Sequence, residues 1–441
     1  MNQSLTKTAG PERRELKYER IYLFDPRAIV KFKLIGDGII QPERLEQAIR
    51  NTSLNRPLLK SRIVLEAATA WFEYSDSIWP EFVLQEISEV EQLHLMGLSE
   101  YDFNPARGKL CRISLTQTES VWHLLIECHH LICDGLSLIW WIQEILESYE
   151  STGSKVLKRS LESLPVIDGK HLPNYKAGCL EKMFSSQANR LWNNEGIEFG
   201  YDALDQIYHK AKTNDIGHSV YHINEQETQH ILDEAHKHHI SVNSAITGAL
   251  LLAQGSRPHY YRKSSLAVSL RSYLQPPIGR DLGFYASGFG FTTSVKGERF
   301  WPFLEVLDKK LKQHLRSRKI YQMLIFNRLI PSLIDAIHLS SWGIYRSRSI
   351  DKIRKMIGFD QITIGTGFSN LGMVKIKSQF KDIGVNEVVF FPHLPSNMEK
   401  LIGIMTFNGC MTLGITYNRK MLTEQATQKL VDRAIGLFAS S

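Results

Sequence analysis

The hydrophobic pattern of the chain changes between two periods, and this change predicts a mixture of strands and helices. Residues 121–128, VWHLLIEC, place apolar side chains at every second position, as a strand with one buried face does. Residues 136–150, LSLIWWIQEILESYE, repeat apolar side chains at helical spacing. Asp134 and Gly135 lie between them, and these types favour a helix cap and an unusual backbone angle. The pattern therefore predicts strand, turn and helix.

The same two periods recur on both sides of this centre and predict an α/β fold in which helices pack on sheets. The predicted strands lie at 22–34, at two places within 63–82, and at 110–115, 219–223, 266–270, 362–369, 387–391, 401–408 and 410–417. The last two are predicted to form an antiparallel pair joined at Gly409. The predicted helices lie at 42–50, 86–96, 225–238, 241–254 and 423–440.

A polar stretch divides the predicted elements into two groups. Residues 151–217 contain scattered glycine and proline and few apolar residues, so we expect a surface connection with one helix near 186–195. With 441 residues the chain is long enough for two domains. We therefore predict an N-terminal lobe over 1–175, a connection over 176–217 and a C-terminal lobe over 218–441.

The candidate chemistry lies at the end of the central strand. His130 continues the buried parity of residues 122–128, whereas His129 falls on the opposite face. A neutral imidazole accepts a proton near pH 7, which makes His130 a candidate general base. A buried Asp134 needs a cation or several donors as partners. A structural histidine pair explains the spacing equally well. A metal site of His129, His130 and Asp134 is disfavoured, because adjacent strand residues diverge and no zinc spacing is present.

Composition narrows the class of protein. Apolar residues make up 43% of the chain and charged residues 22%, as in soluble globular proteins. The five cysteines include no CxxC pair, so we expect a reducing compartment, the cytoplasm. A nucleophilic Cys133 has no further support, since small buried cysteines are common. No signal peptide or spanning segment is predicted, so membrane contact is peripheral at most.

The positive charge of the chain is concentrated in one region. Residues 299–355 carry thirteen Lys or Arg and four Asp or Glu, a net +9 against +7 for the whole chain. This region suits binding of the phosphates of coenzyme A or of an acidic carrier protein, or it is simply a solvent-exposed helix surface. Nucleic-acid binding is disfavoured, because no nucleic-acid-binding signature accompanies the charge. Within it, the apolar residues 320–345 surround Pro331. They predict a helical hairpin on the core, with an acyl channel or a membrane surface as alternatives.

Residues 129–135, HHLICDG, resemble the HHxxxDG signature of the superfamily that contains condensation domains and chloramphenicol acetyltransferase. Four other stretches resemble motifs of this superfamily in the same order along the chain. They are 55–62 (HPLLR, with Asn-Arg replacing His), 102–112 (FD…GPLLR, with Lys109 replacing Pro), 282–288 (GNF.SG, with Phe-Tyr replacing Asn-Phe) and 369–372 (SNLG).

The resemblance implies a fold and a set of site residues. It implies two chloramphenicol-acetyltransferase-like lobes in a V-shaped pseudo-dimer, with His130 in the middle of a central tunnel and the SNLG region bridging toward the first lobe. An arginine after the strand of residues 266–270, here Arg271, is expected to pair with Asp134 and hold the loop that includes Gly135. Ser369 and Asn370 are expected near the reacting carbonyl as oxyanion or substrate contacts, or else as ordinary strand-end hydrogen bonds.

The resemblance also implies an activity. The expected enzyme transfers an acyl group from acyl-CoA or a phosphopantetheine-linked acyl carrier protein to an alcohol or amine, most simply by O-acyl transfer. His130 is the base within the motif of His129, His130 and Asp134, and neither a metal nor a bound cofactor is expected. We expect a free-standing monomer, because the chain leaves no room for carrier or adenylation domains. The alternatives are a free-standing condensation enzyme acting on carrier-bound substrates and a non-catalytic binding relative.

Overall fold

The computed structural model describes residues 11–85, 103–151, 159–168, 170–211, 215–255, 263–294 and 299–439. The helix predicted at 86–96 lies outside these residues. Within them, two large sheets organise the chain, as the hydrophobic pattern predicts for a mixed α/β fold.

The first large sheet has five strands in the order β12-β2-β7-β6-β5. Its strands are β2 (Ile29–Gly38), β5 (Glu81–Gln85), β6 (Cys111–Gln117), β7 (Val121–His129) and β12 (Ile383–Phe391). Only β5 and β6 are parallel among these neighbours. The edge strand β12 comes from the far end of the sequence and pairs with β2 from Gly38↔Ile383 to Lys31↔Phe391. The sheet therefore needs both halves of the sequence.

The second large sheet has six strands in the order β10-β9-β11-β13-β14-β8. Its strands are β8 (Ile216–Ile223), β9 (Lys263–Ser269), β10 (Ala286–Thr292), β11 (Ile364–Met373), β13 (Met398–Phe407) and β14 (Cys410–Asn418). Strand β11 is parallel to both of its neighbours, β9 and β13. A third, small sheet contains β1 (Arg13–Glu15), β3 (Ser61–Glu66) and β4 (Thr69–Tyr74).

Helices cover these sheets. They are α1 (Pro42–Ser53), α2 (Gly135–Glu150), α3 (Cys179–Asn193), α4 (Tyr201–Lys210), α5 (Glu225–Lys237), α6 (Val242–Ala253), α7 (Phe300–Leu315), α8 (Pro331–Ser341), α9 (Arg348–Ile357) and α10 (Glu424–Ala439). Two 3-10 helices also bear on the site, Tyr18–Tyr22 and Arg318–Arg328.

The alternating pattern of the central strand is confirmed. Trp122, Leu124, Ile126 and Cys128 are all buried on one face of β7. The other face is also buried near the strand's end, where Glu127 forms an ion pair of 3.2 Å with Lys31. The turn after β7 leads directly into α2, so the strand, turn and helix prediction is confirmed.

The prediction of a plain surface connection over 151–217 is wrong in part. Helix α3 begins seven residues before the helix predicted at 186–195, and α4 was not predicted. Trp192, Leu204 and Ile207 are buried, because apolar residues at helical spacing pack these helices on the core. The division into 1–175, 176–217 and 218–441 stays a prediction.

The apolar residues 320–345 form two helices, as predicted, but the helices make a bent pair and not a hairpin. The 3-10 helix Arg318–Arg328 and α8 meet at 96°, and α8 packs Leu333 and Ile337 into the core. In the described part of the chain, no single helix has the length and apolarity needed to cross a membrane. This bent pair passes the same length and composition criteria only when its two helices are taken together.

Candidate active site

The β7–α2 turn lies at the wall of a cavity of about 480 Å³ between the two large sheets. Both sheets contribute to its lining, which is mostly apolar. The lining includes Tyr22, Val30, His130, Asp134, Gly135, Leu266, Phe284, Phe289, Met323, Phe326, Leu329, Phe368, Ser369, Phe390, His393 and Leu401. An apolar cavity with a few polar groups is the usual form of a small-molecule site.

His130 has a defined tautomer and orientation. Its Nδ1 lies 2.6 Å from the backbone oxygen of Cys133. A carbonyl oxygen only accepts, so Nδ1 carries the proton and the neutral ring keeps Nε2 as a free acceptor. The ring stacks on Tyr22, with 4.5 Å between centroids, and meets the edge of Phe284 at 4.9 Å. Backbone and aromatic contacts therefore fix an imidazole that is able to accept a proton in the cavity.

The pKa of His130 is lowered to about 4. Burial is the largest cause, because it disfavours the charged imidazolium, and the positive charge of nearby His393 adds to it. The ring is therefore neutral at pH 7, which is the state a general base requires.

His129 faces away from the cavity and is buried. Its Nδ1 accepts the backbone N–H of Leu131 at 3.2 Å, and its Nε2 lies 2.7 Å from the hydroxyl oxygen of Tyr208. The Tyr208 hydroxyl donates to the carbonyl of Leu23 at 3.2 Å, so Nε2 donates to Tyr208. Burial lowers the pKa of His129 to about 3. Both nitrogens of this ring are engaged in holding the turn.

Asp134 caps helix α2 and is buried. Its carboxylate accepts the backbone N–H of Ser137 at 2.7 Å and of Tyr285 at 3.0 Å. Arg271 donates through Nη2 to both carboxylate oxygens, at 3.2 Å each. The carboxylate therefore ties the start of α2 to residues of the other half of the chain.

Arg271 is itself fixed by other groups. Its Nη1 donates to the backbone oxygens of Gly279, at 2.9 Å, and Asp281, at 3.1 Å. Its guanidinium lies over the rings of Trp140, at 5.1 Å, and Tyr285, at 4.6 Å. The planar fork of an arginine suits this combination of carboxylate, carbonyl and aromatic contacts, which a lysine does not reproduce.

Gly135 lies where two segments of the chain approach the turn closely. A Cβ at this position would lie 3.0 Å from the ring of Phe390 and 3.1 Å from the side chain of Leu371. Leu371 belongs to the SNLG stretch, so this stretch reaches the start of α2 from the other sheet. The absence of a side chain at Gly135 permits that contact.

The two polar residues of the SNLG stretch, Ser369 and Asn370, have different surroundings. Ser369 lines the cavity. The Asn370 amide instead donates to Asn243 Oδ1 at 3.1 Å, and its Oδ1 accepts the backbone N–H of Gly372 at 2.8 Å. The Asn370 contacts are those of a strand end, whereas a substrate contact by Ser369 stays a prediction.

Cys133 is buried, and its Sγ lies 3.7 Å and 3.6 Å from the backbone oxygens of Cys128 and His129. Burial raises the pKa of its thiol. Both facts describe an unreactive core cysteine. Among the described residues, no group of three or more His, Cys, Asp or Glu side chains is arranged to hold a metal ion.

The structure adds polar groups that sequence reasoning missed. His393 follows β12 and lines the cavity, with its ring centroid 5.6 Å from that of His130. Its Nε2 lies 3.3 Å from Oδ2 of Asp25, which is also buried. No local pattern connects these residues, since they are brought together only by the pairing of β12 with β2. A histidine between two prolines, in PHLP, is the one weak sequence signal.

A second space, which we call the basic hollow, adjoins the cavity. Its volume is about 690 Å³, and it shares Gly290, Ile357, Ile364 and Asn397 with the cavity lining. Four lysines and a histidine line it together with one acid, namely Lys263, Lys310, Lys319, Lys355, His314 and Asp360. Burial together with the charges of the two nearest lysines lowers the pKa of His314. The hollow is therefore strongly positive.

Sequence profiles of two families match the chain. The Condensation domain family matches residues 29–168, which include β2, β7 and the turn with His130. The family described as phthiocerol/phthiodiolone dimycocerosyl transferase C-terminus matches residues 217–324, which include Arg271. No sequence among the curated proteins matches the chain.

Solved structures share the fold over the whole length. TRI3 trichothecene 15-O-acetyltransferase from Fusarium sporotrichioides is 14% identical with a TM-score of 0.67, and the match covers 99% of this chain and 97% of that one. Polyketide synthase associated protein 5 from Mycobacterium tuberculosis is 11% identical with a TM-score of 0.64, covering 98% of each chain. The epimerization domain from the third module of tyrocidine synthetase B is 15% identical with a TM-score of 0.62, covering 98% and 97%.

At these identities the solved structures establish the fold, and the two profiles cover both sides of the site. The HHxxxDG residues lie within the first profile and Arg271 lies within the second. The ion pair between Asp134 and Arg271 joins the two matched regions. The chain therefore has the fold shared by condensation domains and chloramphenicol-acetyltransferase-like acyltransferases, and its two halves match the Condensation domain and dimycocerosyl transferase C-terminus families.

Proposed function

We propose that the protein is an acyltransferase that moves an acyl group from a thioester to an alcohol or amine, with an O-acyl product favoured. One observation carries the proposal: His130 donates Nδ1–H to Cys133 and so presents an unprotonated Nε2 in the cavity between the sheets. The similar fold of an O-acetyltransferase supports the same class of reaction.

The reaction follows from this geometry. The acceptor hydroxyl gives its proton to Nε2 of His130 while its oxygen attacks the thioester carbonyl carbon. The tetrahedral intermediate then breaks its C–S bond, and the thiolate leaves and takes up a proton. Ser369 is the polar lining residue proposed to donate to the intermediate's oxyanion, a contact typically worth about 3–4 kcal/mol. Neither a metal nor a bound cofactor takes part in this scheme.

The apolar lining supports a place for the acyl chain. Met323 and Phe326, in the first helix of the bent pair, and Leu329, in the connection that follows it, line the cavity. These side chains would exclude water from the thioester and contact a hydrocarbon chain. The acyl-channel alternative for residues 320–345 thus becomes part of the proposal.

The basic hollow supports coenzyme A as the donor. It opens beside the acyl cavity, and a thioester of coenzyme A carries its acyl group at one end and phosphates at the other. Lysine ammonium groups bind phosphates through charge-assisted hydrogen bonds. Four lysines against one acid fit several phosphates better than the single phosphate of a carrier-linked arm.

Reversing charge in the basic hollow is expected to weaken donor binding. Lys310→Glu combined with Lys319→Glu should raise the Kd of desulfo-CoA at least about 30-fold, roughly 2 kcal/mol, because repulsion replaces attraction at two positions. The measurement is isothermal titration calorimetry at fixed salt. The matched control is Lys309→Glu combined with Arg316→Glu, which carries the same charge change outside the hollow. Equal weakening in both double variants would remove the hollow from donor binding.

The activity with an alcohol acceptor is expected to persist into acid. Because the pKa of His130 is lowered from 6.5 to about 4, the neutral base remains the main form down to that pH. At pH 5.5 kcat/KM should stay within about twofold of its value at pH 7, whereas an unshifted histidine would retain only about a tenth. The profile is measured from pH 3.5 to 8, and an acid limb centred near 6.5 contradicts the assignment.

The proposal as a whole is tested by intact-mass screening. Acyl-CoA donors of increasing chain length are incubated with a panel of alcohols and amines, and ester or amide products are sought together with free CoA. An acceptor-dependent product supports the proposal. No product and no thiol release with any donor favours the non-catalytic relative.

A further inference from the structure

The cavity contains a second imidazole whose surroundings differ from those of His130. His393 is buried at the end of β12, with its ring edge-on to His130 at 5.6 Å and to Tyr22 at 5.3 Å. It lines the same cavity, so both rings border the space proposed for the thioester. In the acyl transfer proposed above, only His130 takes part in the reaction.

The partner of His393 is a carboxylate. Asp25 Oδ2 lies 3.3 Å from Nε2 of His393, and Asp25 Oδ1 accepts the backbone N–H of Arg27 at 3.2 Å. Burial raises the pKa of Asp25, but the nearby His393 ring and the backbone N–H of Arg27 lower it well below its usual range. Asp25 is therefore ionised and places a buried negative charge beside the His393 ring.

The two histidines thus have opposite kinds of partner. His130 meets a neutral carbonyl through Nδ1, whereas His393 meets a carboxylate through Nε2 and turns Nδ1 away from it. The other titratable groups near the two rings are Tyr22, Cys133, Asp134, His129 and His338. The carboxylate of Asp134 is already paired with Arg271. Neighbouring groups with such contrasting partners are the usual form of a base and an acid in one site.

We infer that His393, held by Asp25, is the acid that protonates the leaving thiolate. This inference rests on the proposed acyl transfer. The acceptor's proton passes to Nε2 of His130 as the new C–O bond forms. The C–S bond breaks, and the sulfur takes a proton from Nδ1 of the His393 imidazolium. The proton on His130 then returns to His393 directly or through water, so both rings regain their starting states.

The experiment varies the leaving group. Thiol release is followed with octanoyl-CoA and with S-phenyl thiooctanoate, using one alcohol acceptor found in the screen. His393→Gln should slow the octanoyl-CoA reaction about 100-fold, since an alkyl thiolate needs the proton. The same variant should slow the S-phenyl reaction less than about threefold, because an aryl thiolate is a weaker base and leaves unprotonated. Asp25→Asn should show the same selective loss.

The matched control is His338→Gln. His338 interacts with Asp25 from α8 but does not line the cavity, so both thioesters should keep wild-type rates. Equal loss with both thioesters in His393→Gln, or loss with neither, overturns the inference. Near-UV circular dichroism checks folding, and if His393→Gln does not fold, Asp25→Asn decides by the same comparison.

His130→Gln separates this inference from the proposed function. It should slow both thioesters alike, because attack precedes departure of the thiolate. If His130→Gln leaves both rates unchanged, the proposed base mechanism is wrong whatever His393 does. If it slows both while His393→Gln shows no leaving-group dependence, only the role of His393 is wrong.

Discussion

Replacing His130 by glutamine is expected to lower kcat/KM for acyl transfer by about 10²- to 10⁴-fold, the range typical of losing a general base. Glutamine keeps an N–H donor for the carbonyl of Cys133, 2.6 Å from the imidazole in the native protein. Its side chain does not take up the proton of an attacking hydroxyl near pH 7. The fold should therefore survive while proton removal is lost.

The measurement is initial-rate thiol release from an acyl-CoA with a productive alcohol. His222→Gln serves as the control, because this exposed histidine lies on β8 away from the cavity and its replacement should leave the rate unchanged. Retention of the wild-type rate by His130→Gln removes this ring from the chemistry.

The second large effect is expected for Arg271→Met, in the free energy of unfolding. The substitution leaves the buried carboxylate of Asp134 with only two backbone donors and no counter-charge. Removing one partner of a buried ion pair typically costs about 3–5 kcal/mol. The backbone oxygens of Gly279 and Asp281 also lose their donor, which adds to the loss.

Urea unfolding measures this loss, and two comparisons interpret it. Arg280→Met removes a neighbouring arginine whose guanidinium lies 5.9 Å from the Trp140 ring, and it should cost less than about 1 kcal/mol. Adding Asp134→Asn to Arg271→Met should restore part of the stability, because the unpaired charge is removed. A loss below about 1 kcal/mol in Arg271→Met is incompatible with this role of the pair.

The central strand, the turn and α2 were predictable because the signals that specify them are local. The alternation of residues 122–128 specifies a buried strand face, and Asp134 and Gly135 specify the helix start. The resemblance to the superfamily then predicted the pairing of Arg271 with Asp134. The hydrophobic pattern alone gives no information on whether these two distant residues are in contact. These predictions succeeded because each depends on neighbouring residues or on a motif of fixed order.

The parts that were missed depend on contacts between distant segments. The polar composition of 151–217 obscured α3 and α4, although Trp192 and Tyr208 bury their rings against the core. His393 and Asp25 carry no motif, and they meet only because β12 crosses to the first sheet. The assignment of His129 to an occupied structural role likewise required the position of Tyr208. The two helices, the contact between His393 and Asp25, and the role of His129 all depend on tertiary packing, which local sequence patterns do not specify.

The crossing of β12 has a consequence for biosynthesis. During translation, residues 29–129 emerge long before residues 383–391, so β2 waits with an unpaired edge while the intervening residues are made. An open strand edge invites association with other nascent chains. The cavity, which Phe390 of this late strand and the following His393 line, is complete only after these residues have left the ribosome. Pairing of this edge is therefore a late step in the folding of the chain.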